Sequence, residues 1–266
     1  MLQMPKPSNL ELALDCNMKK YLILLIVILA ACDNSDAPDC LQVAGNMEVR
    51  LFSVAEFTRI RIEDNINLVI KEGDEIKVSV EAGKNLFEEI KVAVEGNTLV
   101  ITNDNTCELF RNYEDVIAKV TAPNLTEIRN ASIGNVYSEG ILNYPLLSLG
   151  SNTNGGIDDV KKSGDFIVEL NCDLLIAEAN GFSRYFVSGN AREARIVFTD
   201  ELPLFEGANF FVDDLAVFQR SANIMRVNPL NSIRGEIRGT GDIIAVNRPE
   251  IVEVDEFFTG RLIFED

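Results

Sequence analysis

Two pairs of adjacent carboxylates, Asp158-Asp159 and Asp213-Asp214, are the side chains of this sequence whose types could do chemistry. Two carboxyl groups suffice to cleave a glycosidic bond, one as proton donor and the other as base or nucleophile. Neighbouring residues of a strand point to opposite faces, so either pair shares a site only in a loop. Otherwise both pairs read as solvated acidic corners. Such corners offer the oxygen ligands that calcium prefers. Neither the EF-hand loop nor the glycine-rich nonapeptide repeat is present, so no metal site is expected.

Composition closes other routes. The chain has no histidine and no tryptophan. That removes Ser-His-Asp and Cys-His catalysis, most catalytic zinc sites and the commonest general base. Ser183 and Ser188 have no such base and lie in no S-x-x-K pattern. The expectation is a non-enzyme with no catalytic residue and no cofactor. A net charge of −18 at pH 7 argues against nucleic acid, which is held by cationic contacts to phosphate. Two aromatic clusters, Arg184-Tyr185-Phe186 and Asn209-Phe210-Phe211, stand near predicted corners. They could stack on a sugar or contact a partner, or they could close the core.

The elements that would position these groups are strands. Period-two alternation, the mark of half-buried strands, runs through "FTRIRI", "NINLVI", "IKVSV", "IKVAV" and "TLVIT", with Gly73 and Gly96-Asn97 in the turns between. Lys84 to Glu89 reads as a brief helical turn. From about Ala118 short strands recur with Asn, Gly or Asp between them. One series starts at Ile167, Phe186, Leu204, Met225 and Ile244; a second starts at Leu174, Ala194, Leu215, Ser232 and Ile251. Both repeat about every 20 residues, which suggests a solenoid in which each turn of chain buries its apolar face against the next. Phe166, Val168 and Leu170 would point inward in one rung, and Ile196 and Phe198 in another. Asn180, Asn190, Asn228 and Asn247 are placed at corners, where asparagine tolerates left-handed angles and can stack in amide ladders. An antiparallel sandwich with regular hairpins is the competing architecture.

The N-terminal stretch carries an address. Tyr21 to Ala31 is uncharged and too short to span a bilayer as a helix, but fits the apolar region of a secretory signal. Lys19 and Lys20 precede it, and Leu29-Ala30-Ala31-Cys32 looks like a bacterial lipoprotein box. Cys32 is therefore the expected lipidation site and the membrane anchor; an ordinary secretory signal is the alternative. Met18 is the expected start, with residues 1–17 an upstream artefact. The expected divisions are a signal over residues 1–31, a polar tether over 32–40, a β region of tight turns over 41–117 and a parallel β-helix over 118–266. Besides Cys32, the mature chain has Cys40, Cys107 and Cys172 and no C-x-x-C pair. In an oxidising compartment two can pair. Cys40 with Cys107 is expected, since the strands between them return the chain near its origin. Cys172 would then be a buried free thiol, and a Cys107–Cys172 bond is the rival.

From "FTRIRIEDNINLVIKEGDEIKVSVEAGKNLFEEIKVAVEGNTLVI" onward the chain resembles the auto-transporter adhesin, head GIN domain family. "CELFRNYEDVIAKVTAPNLTEI" and the closing "IRGTGDIIAVNRPEIVEVDEFFTGRLI" continue the likeness over about residues 47–264. Phe257-Phe258-Thr259-Gly260 departs from it, lacking a second glycine before the final strand. The resemblance implies an all-β, right-handed parallel β-helix of roughly 20 residues per turn in an envelope lipoprotein, and carries over no catalytic residues. The resulting expectation is an outer-membrane-anchored, adhesin-like protein, periplasmic or surface-exposed. Its outward side chains, such as Arg195, Glu253 and Asp255, would meet a glycan or cell-surface protein. A carbohydrate-active enzyme on the same fold and a periplasmic scaffold are the alternatives.

Overall fold

The computed structural model describes residues 44–105, 116–154 and 160–265. They are all-β apart from one 3-10 turn at Lys84–Leu86, within the stretch read as a brief helical turn. Seventeen strands join in one large, mostly parallel sheet that folds back toward a barrel-like closure.

The strands form two stacks that face each other across one core. The first contains β1 (Met47–Phe52), β4 (Lys77–Gly83), β7 (Val116–Ala122), β3 (Ile66–Glu72) and β9 (Val136–Leu142), in that spatial order. The second contains β5 (Ile90–Glu95), β6 (Thr98–Asn103), β2 (Arg59–Asp64), β8 (Glu127–Ser132) and β10 (Leu146–Ser151). Four long strands then serve both stacks: β11 (Phe166–Ala179), β12 (Arg184–Phe198), β13 (Leu204–Gln219) and β14 (Met225–Ile237). The first half of β11 pairs with β9 and the second half with β10. Beyond β14 the first stack ends in β15 (Ile243–Ala245) and β17 (Leu262–Phe264), the second in β16 (Ile251–Glu256). Every described pairing among β8 to β17 is parallel; the antiparallel pairs are β1–β4, β4–β7 and β5–β6.

The two sequence series are thus the two halves of single strands, and burial shows how each strand bends. In β11 the buried positions are Phe166, Val168, Leu170 and Cys172, then Leu175, Ala177 and Ala179. The alternation changes phase at Asp173-Leu174, where two consecutive side chains turn outward. The same change falls at Arg192-Glu193 in β12 and at Asp213-Asp214 in β13. A period-two strand has one inner face, so keeping the core inside around a corner requires this slip.

Register aligns the core into columns. Phe166 pairs with Tyr185, Tyr185 with Phe205, Phe205 with Met225, Met225 with Ile243, and Ile243 with Leu262. The Phe166 and Tyr185 rings stack with centroids 4.6 Å apart, and Phe198 of the other stack approaches Tyr185 at 5.6 Å. The expected inward residues Phe166, Val168, Leu170, Ile196 and Phe198 are all buried.

The asparagine corners differ from expectation. Asn180, Asn190, Asn228 and Asn247 do not take left-handed angles; among the described non-glycine residues Asp64 and Glu201 do. Asn228 and Asn247 instead donate their side-chain amides to the Ala208 and Pro229 carbonyls of the preceding strand. That satisfies backbone groups where the ladder breaks. Asn190 lies within β12.

Cys172 is a buried free thiol in β11, as expected. Burial pushes its pKa up to about 11, from an ordinary value of 9.0. A raised thiol pKa means that the neutral form is favoured in the folded chain. Its stabilising effect is therefore complete below about 9 and is lost as the pH rises toward 11. Cys32, Cys40 and Cys107 lie outside the described residues. The expected outcome of thiol labelling at pH 7 is no reaction in the native protein and labelling at Cys172 after unfolding without reductant. Peptide mass mapping that instead finds Cys172 in a disulfide contradicts this.

Candidate functional site

Two bulges break the parallel register of the first stack. Between Tyr137 and Ile141, β9 advances four residues while β11 advances only from Ile167 to Glu169. Ser138, Glu139 and Gly140 therefore bow outward. Likewise β13 runs from Glu206 to Phe211 while β14 runs only from Arg226 to Asn228; the extra residues turn Ala208 and Asn209 toward the surface and leave Gly207 and Phe210 buried. Bulges re-aim side chains and are common beside functional sites.

Between these ridges lies a groove of about 430 Å³. Its floor is the outer surface of β11 and β12. Ile167 and Phe186, paired in register, form its apolar strip and are each 37 % exposed. Around the strip stand the polar groups of Ser138, Glu169, Ser188, Glu206 and Asn209. Several are fixed. The Glu169 amide donates to Ser138 Oγ at 2.9 Å, tying the β9 bulge to the floor. The Glu206 carboxylate accepts from the Ala208 amide at 3.3 Å and lies 3.8 Å from the Arg226 guanidinium. Arg184 leans toward the Phe186 ring, 5.7 Å from its centroid. Asp165, buried beneath, holds that guanidinium: its carboxylate accepts from Arg184 Nε at 3.0 Å and from the Arg184 amide at 2.9 Å. These contacts raise the Arg184 pKa above its usual value, the Asp165 hydrogen bond being the main cause.

An apolar strip rimmed by carboxylates, hydroxyls and an amide suits a ligand with hydroxyl groups and a C–H face. Two carboxylates and no cationic side chain line it, so anionic ligands are disfavoured.

The structure splits the aromatic clusters. Tyr185 and Phe210 are buried in the core, whereas Phe186 and Asn209 meet in the groove and Phe211 is exposed on β13. Ser188 lines the groove; Ser183 is buried, its hydroxyl 2.7 Å from that of Ser151. Asp158 and Asp159 lie outside the described residues. Asp213 and Asp214 sit in β13, not in a loop. They turn outward together at its corner, where Asp214 accepts from the Ser232 hydroxyl at 2.5 Å. Arg195 and Glu253 belong to one outward row of the second stack, and Asp255 to the next row. Among the described residues no three His, Cys, Asp or Glu side chains group as metal ligands. No described helix is long and apolar enough to cross a membrane. Ile167, Glu169, Glu206 and Ser138 escaped the sequence reading. The one signal for them is that "VYSEGIL" and "FEGANFF" hold more residues than their neighbours need.

A family model described as "Putative auto-transporter adhesin, head GIN domain" matches residues 56–249. The chain is also similar in fold to a solved protein called a putative adhesin from Bacteroides fragilis NCTC 9343. The TM-score is 0.74 at 21 % identity, covering 83 % of this chain and 97 % of that one. A second, likewise called a putative adhesin, from Parabacteroides distasonis ATCC 8503, gives 0.61 at 16 % identity over 82 % and 98 %. A third, called a putative lipid binding protein from the same strain, gives 0.58 at 15 % identity over 84 % and 98 %. No curated protein matches the chain significantly in sequence.

Proposed function

Since the chain belongs to the auto-transporter adhesin, head GIN domain family, we propose that it is an envelope-associated, non-catalytic binding protein that holds a neutral glycan in the groove between the two bulges. The observation that carries this reading is the Ile167–Phe186 strip rimmed by Ser138, Glu169, Ser188, Glu206 and Asn209. In this reading the chain winds as a right-handed β-helix of roughly 20 residues per turn. Support comes from the offsets between paired residues, such as Phe166 with Tyr185 and Ser232 with Ile251. Right-handed crossover is the general rule for parallel strands. The protein is anchored to the outer membrane through lipid on Cys32, and Cys40 and Cys107 are joined in a disulfide. Palmitate labelling that persists in Cys32→Ser would refute the anchor.

A glycan array tests binding. The expected result is retention of neutral oligosaccharides by the wild type. Phe186→Ala is expected to weaken binding at least tenfold, about 1.4 kcal/mol, through loss of the ring face. Phe186 is partly exposed, so the variant should keep its fold. Release of reducing ends or unsaturated sugars from any retained glycan, abolished in Glu169→Gln or Glu206→Gln, would make the protein a carbohydrate-active enzyme instead. Proteinase accessibility on intact cells separates a surface adhesin from a periplasmic scaffold.

A further inference from the structure

Around the corner from the groove, the second stack carries a notch of about 650 Å³ whose lining, unlike the groove's, holds two arginines, Arg195 and Arg234, beside the carboxylates Glu193 and Asp214. One outward row runs through Ile176, Arg195, Ala216, Arg234 and Glu253, paired in register on β11, β12, β13, β14 and β16. Ala216 is the short member, so the surface dips between two arginines two strands apart. Parallel strands lie about 4.8 Å apart, which places the two backbone positions about 10 Å from each other. Two guanidinium groups on long side chains can converge over such a gap.

The arginines differ in their engagements. Arg234 donates from Nε to Glu253 at 3.0 Å and from Nη1 to the Ser232 hydroxyl at 2.7 Å, and lies 3.9 Å from Asp214. Of the carboxylates nearby, Glu193 pairs with Arg192, and Asp214 accepts from Ser232. Arg195 has neither hydrogen bond nor ion pair among the described residues. Its neighbours on the far side from Ala216 are apolar: Ile176 in the same row and Leu174 beside it, both half-buried.

We propose that this notch binds an amphiphilic carboxylate. The carboxylate takes the vacant guanidinium fork of Arg195 over Ala216, with Arg234 held alongside, and the apolar body lies along Ile176 and Leu174. Guanidinium groups match the carboxylate in planar, bidentate geometry, which makes such pairs strong and directional. A neutral glycan does not answer an unpaired cation beside an apolar strip, so this site and the groove take different ligands.

The test is a nuclear magnetic resonance titration of the folded protein with decanoate, decanol and decylammonium, each below its aggregation limit. The expected result is saturable decanoate binding that shifts the Arg195 and Ala216 amides, at least tenfold tighter than decanol, with decylammonium weaker still. Arg195→Gln should lose at least tenfold in decanoate affinity. Ala216→Leu, which fills the notch, should abolish binding, and Phe186→Ala should leave it unchanged. Arg195 and Ala216 are exposed, so both variants should fold. Equal affinity for decanoate and decanol, an unaltered Arg195→Gln, or no saturable shift at Ala216 overturns the proposal.

Discussion

Replacing Tyr185 by alanine is expected to lower the stability of the head by about 3–5 kcal/mol, the range for deleting a large buried aromatic side chain. Tyr185 is fully buried, and its ring is stacked between Phe166, 4.6 Å away on β11, and Phe205, 6.4 Å away on β13. Phe198 approaches from the opposite stack at 5.6 Å, so this ring joins three successive strands and both halves of the core. Its hydroxyl donates to the Glu178 carbonyl at 2.8 Å. Tyr185→Phe keeps the ring and leaves that carbonyl short of a partner, which should cost about 1 kcal/mol. Denaturant unfolding of the two variants checks both figures. Equal losses would mean that the hydroxyl, not the stack, carries the effect. Phe186, the next residue, should respond in the opposite manner: little change in stability, large change in binding.

The second large effect belongs to Gly235. It occupies a core column of the second stack, paired with Val217 on β13 and Val254 on β16. Its φ of +139° is a backbone conformation that side chains rarely adopt, and a Cβ there would stand 1.8 Å from the Val217 carbonyl oxygen. Backbone atoms cannot step aside as the end of a flexible side chain can, so Gly235→Ala must push β14 away from β13. The expected loss is about 3 kcal/mol, the upper part of the range for a strained backbone position. Gly150, in β10, is the control. A Cβ there would meet nothing nearer than an Arg129 nitrogen at 3.8 Å, so Gly150→Ala should change stability by less than about 0.5 kcal/mol. Thermal unfolding that ranks the two variants equally would show that close rung contact at Gly235 is not a constraint.

Much of this architecture was legible because it depends on period two. Phe166, Val168 and Leu170 alternate with charged or exposed neighbours, and no tertiary information is needed to place them inside. The stacking of parallel strands was legible for the same reason, since stacked strands must present similar apolar positions. The corners were not. Asp213-Asp214 and Arg192-Glu193 read as breaks between two strands, because a phase slip looks like an ending when the chain is read locally. In the structure the strand continues through the slip and turns. Left-handed residues were misplaced too: Asp64 and Glu201 take those angles, while the asparagines were free to bond across strands with their side chains. The groove was half legible. Phe186 and Asn209 stood out in two separate aromatic clusters, and their meeting depends on β13 bulging by residues that no short pattern marks. Glu169 and Glu206 carried no signal, because nothing local distinguishes a strand carboxylate beside a bulge from any other solvated one.

The central claim is that the bulge-walled groove is where this protein meets its ligand. Backbone amide shifts, followed while the neutral oligosaccharide best retained on the array is titrated into the folded head, test it most directly. The predicted result is saturable shifts at Ile167, Phe186, Ser188 and Asn209, absent in Phe186→Ala, with the ligand recovered intact. Shifts confined to the second stack, or no saturable shift on the floor of β11 and β12, would contradict it.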